Sequence, residues 1–379
     1  MRSSKFSILP RRFGFALLGL GLLSGCMVGP DFERPEAPYL DSWSKGAGLT
    51  IDRRTGFTTR SAAAADWWTV FNDPVLNTLI AEAYRQNLTL QSAGVRVYKA
   101  RAQLGIARGE LFPQSQQIGG GVKRERLSTN EPVLRDIRRF VDVDPHITRI
   151  KTGFDAGWEL DFWGKIRRSV ESANATLAAN IASYDDVLVT LTGDVASTYV
   201  AIRELEQLVA ISRRNAGLQR ESLRIAELRL KNGAATELDV NEAKVLYNNT
   251  LASIPKYQAQ LAEAYNAMSL LLSEPPGAVQ KRLKGRSRLP SVPASVAIGV
   301  PADLLRRRPD IRAAEYEAAA QSSQIGVAQA DLYPAFSISG AIGVEAADFA
   351  DLFTKNSLTG FINPAFSWNF LNYGRIRNN

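Results

Sequence analysis

The chain has 379 residues, 45% of them hydrophobic and 22% charged, with a formal net charge of +8, one cysteine and one histidine. That length accommodates two ordinary domains. Arg2, Lys5, Arg11 and Arg12 precede Cys26 with no acidic residue before it, so loss of that segment lowers +8 to +4. The remaining basic residues alternate with acidic ones, as at Arg203-Glu204 and Arg220-Glu221. This is the pattern of solvated helices, not of a nucleic-acid-binding surface.

The four basic residues lead into the apolar stretch Phe13 to Leu23. It is too short to span a membrane, which takes about 20 apolar residues, and it fits a secretory signal. It ends in Leu23-Ser24-Gly25-Cys26. Small residues before a cysteine let a signal peptidase reach the bond, and the thiol then takes a diacylglyceryl group. Cys26 is therefore the expected lipid attachment site; the competing reading is a buried cysteine at the end of a short core helix. As the only cysteine of an exported chain, Cys26 is expected to use its thiol for something other than an internal disulfide. A lipid anchor holds a protein near a membrane without spanning it.

Residues 27 to about 65 are rich in Pro, Gly, Ser and Ala and predict an extended lead-in. Asp73-Pro74 reads as an N-cap followed by proline at the first helical position. A short helix to about Tyr84 and a longer one from Leu88 to Leu111 follow, the second ended by Pro113. Gln117 to Leu127 is strand-like, and a polar loop from Glu131 to His146 leads to a second strand. There Phe154, Ala156, Trp158, Leu160 and Phe162 alternate with Gly153, Asp155, Gly157, Glu159 and Asp161. Segments of about ten residues with one apolar and one polar face suit a transmembrane barrel; alternation alone also allows a soluble antiparallel sheet with one buried face, and export to an outer membrane favours the barrel.

From Lys165 to about Lys231 there is no proline. Its apolar stripe of Leu177, Ile181, Tyr184, Leu188, Leu191, Val195, Tyr199, Ile202, Leu205 and Val209 predicts one very long helix. At 1.5 Å per residue it would reach roughly 100 Å. Asn232-Gly233 turns the chain, and Thr236 with Asp239 forms a variant capping box opening a second helix. Pro255 is expected to interrupt and bend that helix, and Pro275-Pro276-Gly277 to end it.

The second half repeats this order. Pro301 starts a short helix, and Arg306-Arg307-Arg308-Pro309 breaks it. Gln324-Ile325-Gly326-Val327-Ala328 matches Gln103-Leu104-Gly105-Ile106-Ala107, and Leu332-Tyr333-Pro334 matches Leu111-Phe112-Pro113. Phe336 to Val344 alternates again, and the tract Phe154–Arg167 returns as Pro364–Arg377, two residues before the last. A repeat of this size is one supersecondary design used twice.

Several of these motifs resemble one family. They are Cys26 with Val28-Gly29-Pro30-Asp31-Phe32; Asp66-Trp67-Trp68 leading to Phe71 and Asp73; Leu160-Asp161-Phe162-Trp163-Gly164-Lys165; Gly233 through Val240; and Leu305 through Ile311. In this order they resemble the TolC-like outer-membrane efflux factors, in particular the lipidated branch called OprM-like or NodT-like.

The resemblance implies a mixed fold of membrane β-barrel and long α-helical hairpins, with four barrel strands per subunit and a periplasmic helical tunnel. It implies a homotrimer in the cell outer membrane, lipid-anchored and extending into the periplasm. Such a duct docks on a periplasmic adaptor protein and an inner-membrane pump and lets solutes or drugs leave. The expected cofactor list is empty apart from the covalent diacylglycerol and N-acyl chain on Cys26, and no nucleic acid is expected. The family continues with a second helical hairpin, so this chain reads as C-terminally truncated after its second strand pair. The expected organisation is a signal peptide over 1–25, a lipidated segment over 26–72, a first repeat over 73–290 and a second over 291–379. The alternatives are a non-functional fragment of such a channel, or a periplasmic adaptor lipoprotein with compact β domains flanking one hairpin.

No nucleophile, metal or acid–base cluster points to an enzyme. His146, alone in a polar loop, lacks the further ligands a metal needs. Arg306, Arg307 and Arg308 read as a solvated turn or an anion site. If the apolar strand positions face lipid, Asp155, Glu159 and Asp161 face the lumen and bias it toward cations; otherwise they are ordinary strand solubility. Arg229, Leu230, Gly233, Thr236 and Asp239 make the hairpin tip, which by resemblance also meets the adaptor.

Overall fold

The computed structural model describes residues 27–35, 57–58, 66–130, 132–137, 140–141, 144–283, 288–291, 296–297 and 305–378. The signal segment, Cys26 and the helix expected at Pro301 lie outside them. In chain order the elements are β1 (Phe57–Thr58), α1 (Pro74–Gln86), α2 (Leu88–Gly109), β2 (Ser115–Arg126), α3 (Pro132–Ile137) and β3 (His146–Leu160). Then come α4 (Lys165–Lys231), α5 (Glu237–Leu271), α6 (Ala278–Leu283), β4 (Val296–Ala297), α7 (Pro309–Ala330), β5 (Ala335–Ala346) and β6 (Leu358–Ser367). The chain divides into two compact units. One comprises Met1–Arg34, Lys99–Ala178 and Glu315–Asn379; the other comprises Pro35–Tyr98 and Ala179–Ala314.

The first unit is built on a four-stranded antiparallel sheet in the order β2-β3-β5-β6. The two hairpins of the repeat thus lie side by side, with β3 and β5 central and β2 and β6 as open edges. Both edge strands are exposed along nearly their whole length. The first strand pair is longer than expected at its loop end. His146 opens β3 opposite Arg126 instead of lying in the loop, and α3 occupies part of that loop. The second copy of the repeated tract is shorter than expected: β6 ends at Ser367, paired with Ala335. Pro334 precedes Ala335 and offers no N–H, so the ladder stops there.

The second unit holds the larger apolar core. Asp73 caps α1 by accepting from the backbone N–H of Val75 at 2.8 Å and of Leu76 at 3.2 Å, with Pro74 at the first helical position. This places Leu76, Leu79, Ile80 and Ala83 on one face. They pack with Leu191, Val195, Tyr199 and Ile202 of α4, Tyr265, Met268 and Leu272 at the end of α5, and Val279 and Leu283 of α6.

The expected α4 stripe is buried in its middle, but Ile181 is exposed and Ala182 is buried in its place. Helix α5 runs unbroken from Glu237 to Leu271 with Pro255 inside it, so the expected interruption does not occur. The proline removes one helical donor without ending the helix; the turn after it is largely exposed, and the buried contacts of α5 begin at Tyr265, with Met268 and Leu272.

Candidate functional site

The sheet has two chemically distinct faces, set by strand register. Directly paired residues in adjacent strands share a face, and alternate residues along a strand switch faces. One face carries Ile118 and Val122 of β2, with Ile150, Phe154, Trp158 and Leu160 of β3. From the second pair it carries Phe336, Ile338, Ile342 and Val344 of β5, with Leu358, Ile362, Pro364 and Phe366 of β6. Ile118 is 85% exposed and Ile362 82%. From Ile150 to Leu160 this face extends about 33 Å along the strand, or about 25 Å across a membrane at a tilt near 40°.

The opposite face is polar except for its glycines and Ile147, Ala335, Ala341, Phe361 and Ala365. Gly119, Gly153 and Gly343 lie side by side across β2, β3 and β5 and lead to Thr359. Gly153 and Gly343 approach so closely that a Cβ on either would sit 2.9 Å from the other's Cα. On the helix side of this row stand Asp155 and then Glu159, with Ser337, Ser339 and Asn363. On the loop side stand Lys151 and Glu345, then Lys123 with Arg149, and Glu125. Lys123 pairs with Glu125 at 2.6 Å and Arg149 with Glu345 at 3.9 Å.

Asp155 and Glu159 therefore share one face with three cations that sequence reasoning passed over. Lys151 has the same parity along the strand as Asp155 and Glu159, so the alternation carried four residues further back points to it.

Asp161 is not with them. It lies past the end of β3, and its carboxylate accepts from the backbone N–H of Ile166 at 2.8 Å and of Arg167 at 3.0 Å. It also accepts from Arg167 Nε at 2.9 Å. An acidic group at the positive end of a helix satisfies orphan donors, so Asp161 starts α4. Aromatic residues ring this end of the sheet. Trp163 stacks on Tyr333 at 4.7 Å, and Phe162 lies 5.4 Å from Phe336 between ring centres. The Trp163 indole N–H donates to the Pro334 carbonyl at 2.8 Å, and Trp368 Nε1 donates to Leu332 O at 3.0 Å.

The residues after Cys26 dock at this same end. Val28 N donates to Trp163 O at 3.0 Å, and Met27 packs so tightly on Gly164 that only a glycine fits there. Arg168, 2% exposed, donates from Nε to Val28 O at 3.0 Å and from Nη2 to Gly29 O at 2.9 Å. It also pairs with Asp31 at 2.9 Å and Glu171 at 2.7 Å. The local sequence offers only Glu171, three residues on; the partners that tie Arg168 to the N-terminal segment lie about 140 residues upstream.

At the hairpin tip, Ala234 N donates to Arg229 O at 2.8 Å and Gly233 N to Leu230 O at 2.9 Å, with Gly233 at φ +73°. This is a Schellman motif, which closes α4 on a left-handed residue. Thr236 Oγ1 accepts from Asp239 N at 3.3 Å while Asp239 Oδ2 accepts from Thr236 N at 2.7 Å. The backbone N–H of Thr236, and then its side chain, hold the Asp239 carboxyl below the usual carboxylate range. All five tip residues are brought together.

Two sequence candidates resolve into local structure. Arg308 pairs with Asp310 at 2.6 Å beside the start of α7, and Arg306 and Arg307 are also engaged. His146 Nδ1 meets Asp144 Oδ1 at 2.9 Å. Among the described residues no group of three or more His, Cys, Asp or Glu could hold a metal.

Sequence reasoning also missed a buried polar cluster in the second unit. Tyr199 donates to Asp73 Oδ2 at 2.7 Å, Tyr265 donates to Glu206 Oε1 at 2.6 Å, and Arg203 Nη1 donates to Glu206 Oε2 at 2.8 Å. Burial, and for Tyr265 also Glu206, raises both phenols above their ordinary value.

The outer membrane efflux protein family model matches residues 79–274 and 300–379. Nodulation protein T of Rhizobium leguminosarum bv. trifolii is 34% identical over 322 residues, which are 85% of this chain and 65% of that protein. The toluene efflux pump outer membrane protein TtgI of Pseudomonas putida is 33% identical over 99% of this chain and 76% of its own length. Among solved structures, the outer-membrane channel OprN superposes with a TM-score of 0.82 at 30% identity, covering 93% of this chain and 75% of that one. The chain thus spans less than two thirds of the length of nodulation protein T. The four-stranded sheet and long helical hairpin are those of the TolC-like channel fold, and the location is the outer membrane. The chain belongs to the outer membrane efflux protein family.

Proposed function

We propose that this chain is a subunit of a passive exit duct, the outer-membrane component of a tripartite efflux system for solutes or drugs. The observation that carries the reading is the two-faced sheet with both edges open. Open edges cannot remain unpaired in hydrocarbon, and an apolar face about 25 Å tall matches the outward band of a membrane barrel. Edge-to-edge joining of β6 in one copy to β2 in the next closes a shared barrel in a homotrimer. The polar face then lines the lumen, with Asp155 and Glu159 in it.

In this reading Cys26 carries the diacylglycerol and N-acyl chain, and the docked residues 27–31 hold it beside the aromatic girdle. The tip formed by Arg229, Leu230, Gly233, Thr236 and Asp239 meets the periplasmic adaptor, and the inner-membrane pump supplies the energy. Related proteins described as toluene and solvent efflux components support the solute class.

Detergent extraction of outer membranes, with size analysis on an unheated gel, tests the assembly. A heat-sensitive trimer is the expected result. A monomer, aggregate or degraded chain confines the duct reading to longer relatives.

A further inference from the structure

The polar face of the sheet is divided electrostatically along the strands. On the loop side of the Gly119–Gly153–Gly343 row stand Lys123, Arg149 and Lys151 against Glu125 and Glu345, an excess of one positive charge. Lys123 and Arg149 are paired with those two carboxylates. The excess therefore resides on Lys151, whose ammonium makes no hydrogen bond or ion pair among the described residues. On the helix side stand Asp155 and Glu159 with no cation on the same face of any strand. The two zones are four and eight residues apart along β3, about 13 and 26 Å. The glycine row, bare of side chains, separates them.

Resting on the duct reading above, we infer that the barrel is a bipolar pore that rectifies ion flow, passing cations outward more readily than inward. Three copies multiply both zones: an acidic ring on the periplasmic side and a basic ring at the outer mouth. Mobile cations fill the acidic zone and mobile anions the basic zone. A field pointing from the helix end to the loop end drives both populations toward the junction between the rings, and conductance rises. The opposite field drains the junction, and conductance falls. With Asp155 and Glu159 against a single unpaired Lys151, the polar face is net negative in each subunit, which favours cationic over anionic cargo.

Single-channel recording of the purified full chain in planar bilayers, in symmetric KCl, tests the inference. The screening length is about 30 Å at 10 mM salt and about 3 Å at 1 M. The current ratio between opposite voltages is expected to be roughly 2 at 10 mM and close to 1 at 1 M. K151E, which makes the whole face acidic, and the double variant D155N/E159Q, which removes the acidic ring, are each expected to bring the 10 mM ratio close to 1.

A symmetric wild-type channel at 10 mM overturns the inference, as does an asymmetry that neither variant changes. In both cases the duct reading stands, because a channel has been recorded. A protein that forms no channel at any salt concentration overturns the duct reading, and the rectifier with it.

Discussion

Arg168 donates to the carbonyl of Gly29 at 2.9 Å, joining the first turn of α4 to a residue three positions past the proposed lipid site. The guanidinium is almost fully buried and divides its donors among Val28, Gly29, Asp31 and Glu171. A planar donor fork suits this arrangement, because each N–H reaches a different oxygen without a rotamer change. Arg168→Met keeps the length and loses every bond. We expect a loss of about 3 kcal/mol, seen as a lower unfolding temperature in detergent and faster proteolysis within residues 27–35. Unchanged proteolysis there would show that other contacts hold this segment.

The two repeats contain equivalent glycines in unequal surroundings. A Cβ on Gly326 would lie 2.9 Å from the backbone oxygen of Val28 and 2.9 Å from the Arg168 side chain, whereas a Cβ on Gly105 meets nothing within 4 Å. Gly326→Ala is expected to destabilise by roughly 1–3 kcal/mol through overpacking. Gly105→Ala is expected to stabilise by up to about 1 kcal/mol through helix propensity. Parallel thermal unfolding of the two variants checks the difference in sign.

The hairpin tip rests on a reciprocal cap. Thr236→Ala removes the acceptor for Asp239 N and is expected to cost about 1 kcal/mol locally, read as faster amide exchange at the start of α5. The tip also depends on pH. Asp239 titrates below its ordinary value of 3.8 because the folded chain hydrogen-bonds its charged form. Its contribution is complete above that value and is lost as pH falls through the lower folded value. Exchange at Thr236 and Asp239 should therefore accelerate in acid, and Asp239→Asn should remove most of that acceleration.

Tyr265 supplies the hydrogen of a 2.6 Å bond to Glu206, which also pairs with Arg203. Tyr265→Phe leaves one carboxylate oxygen short of a donor and is expected to cost about 1–3 kcal/mol. The phenol is raised by burial and by Glu206, so its stabilisation is present below the ordinary tyrosine range and lost as pH rises through the folded value. A difference spectrum of tyrosinate absorbance, wild type minus Tyr265→Phe, should develop only above pH 10. Development at or below pH 10 would show that the phenol is not held in the folded state.

Much of the architecture was legible in one dimension. Helix caps are local, so Asp73-Pro74, Gly233 and the Thr236–Asp239 pair could be read from neighbouring residues. Strand alternation has a fixed period, so Asp155 and Glu159 could be assigned to one face before any pairing was known. The misreadings occur where distant chain decides. Asp161 continues the alternation, but the ladder ends at Leu160, which frees its carboxylate to start α4. His146 belongs to a strand because Arg126 is available opposite it.

The sequence by itself determined the element types, the repeat, the two-faced strands and the family, because these follow from periodicity and short-range hydrogen bonding. Tertiary structure decided which charges share a surface and which oxygens Arg168 and Arg203 meet. Apart from the pairs with Glu171 and Glu206, three residues on, the oxygens those arginines meet lie tens to more than a hundred positions away, and such contacts depend on strand register and helix docking, which no local spacing encodes.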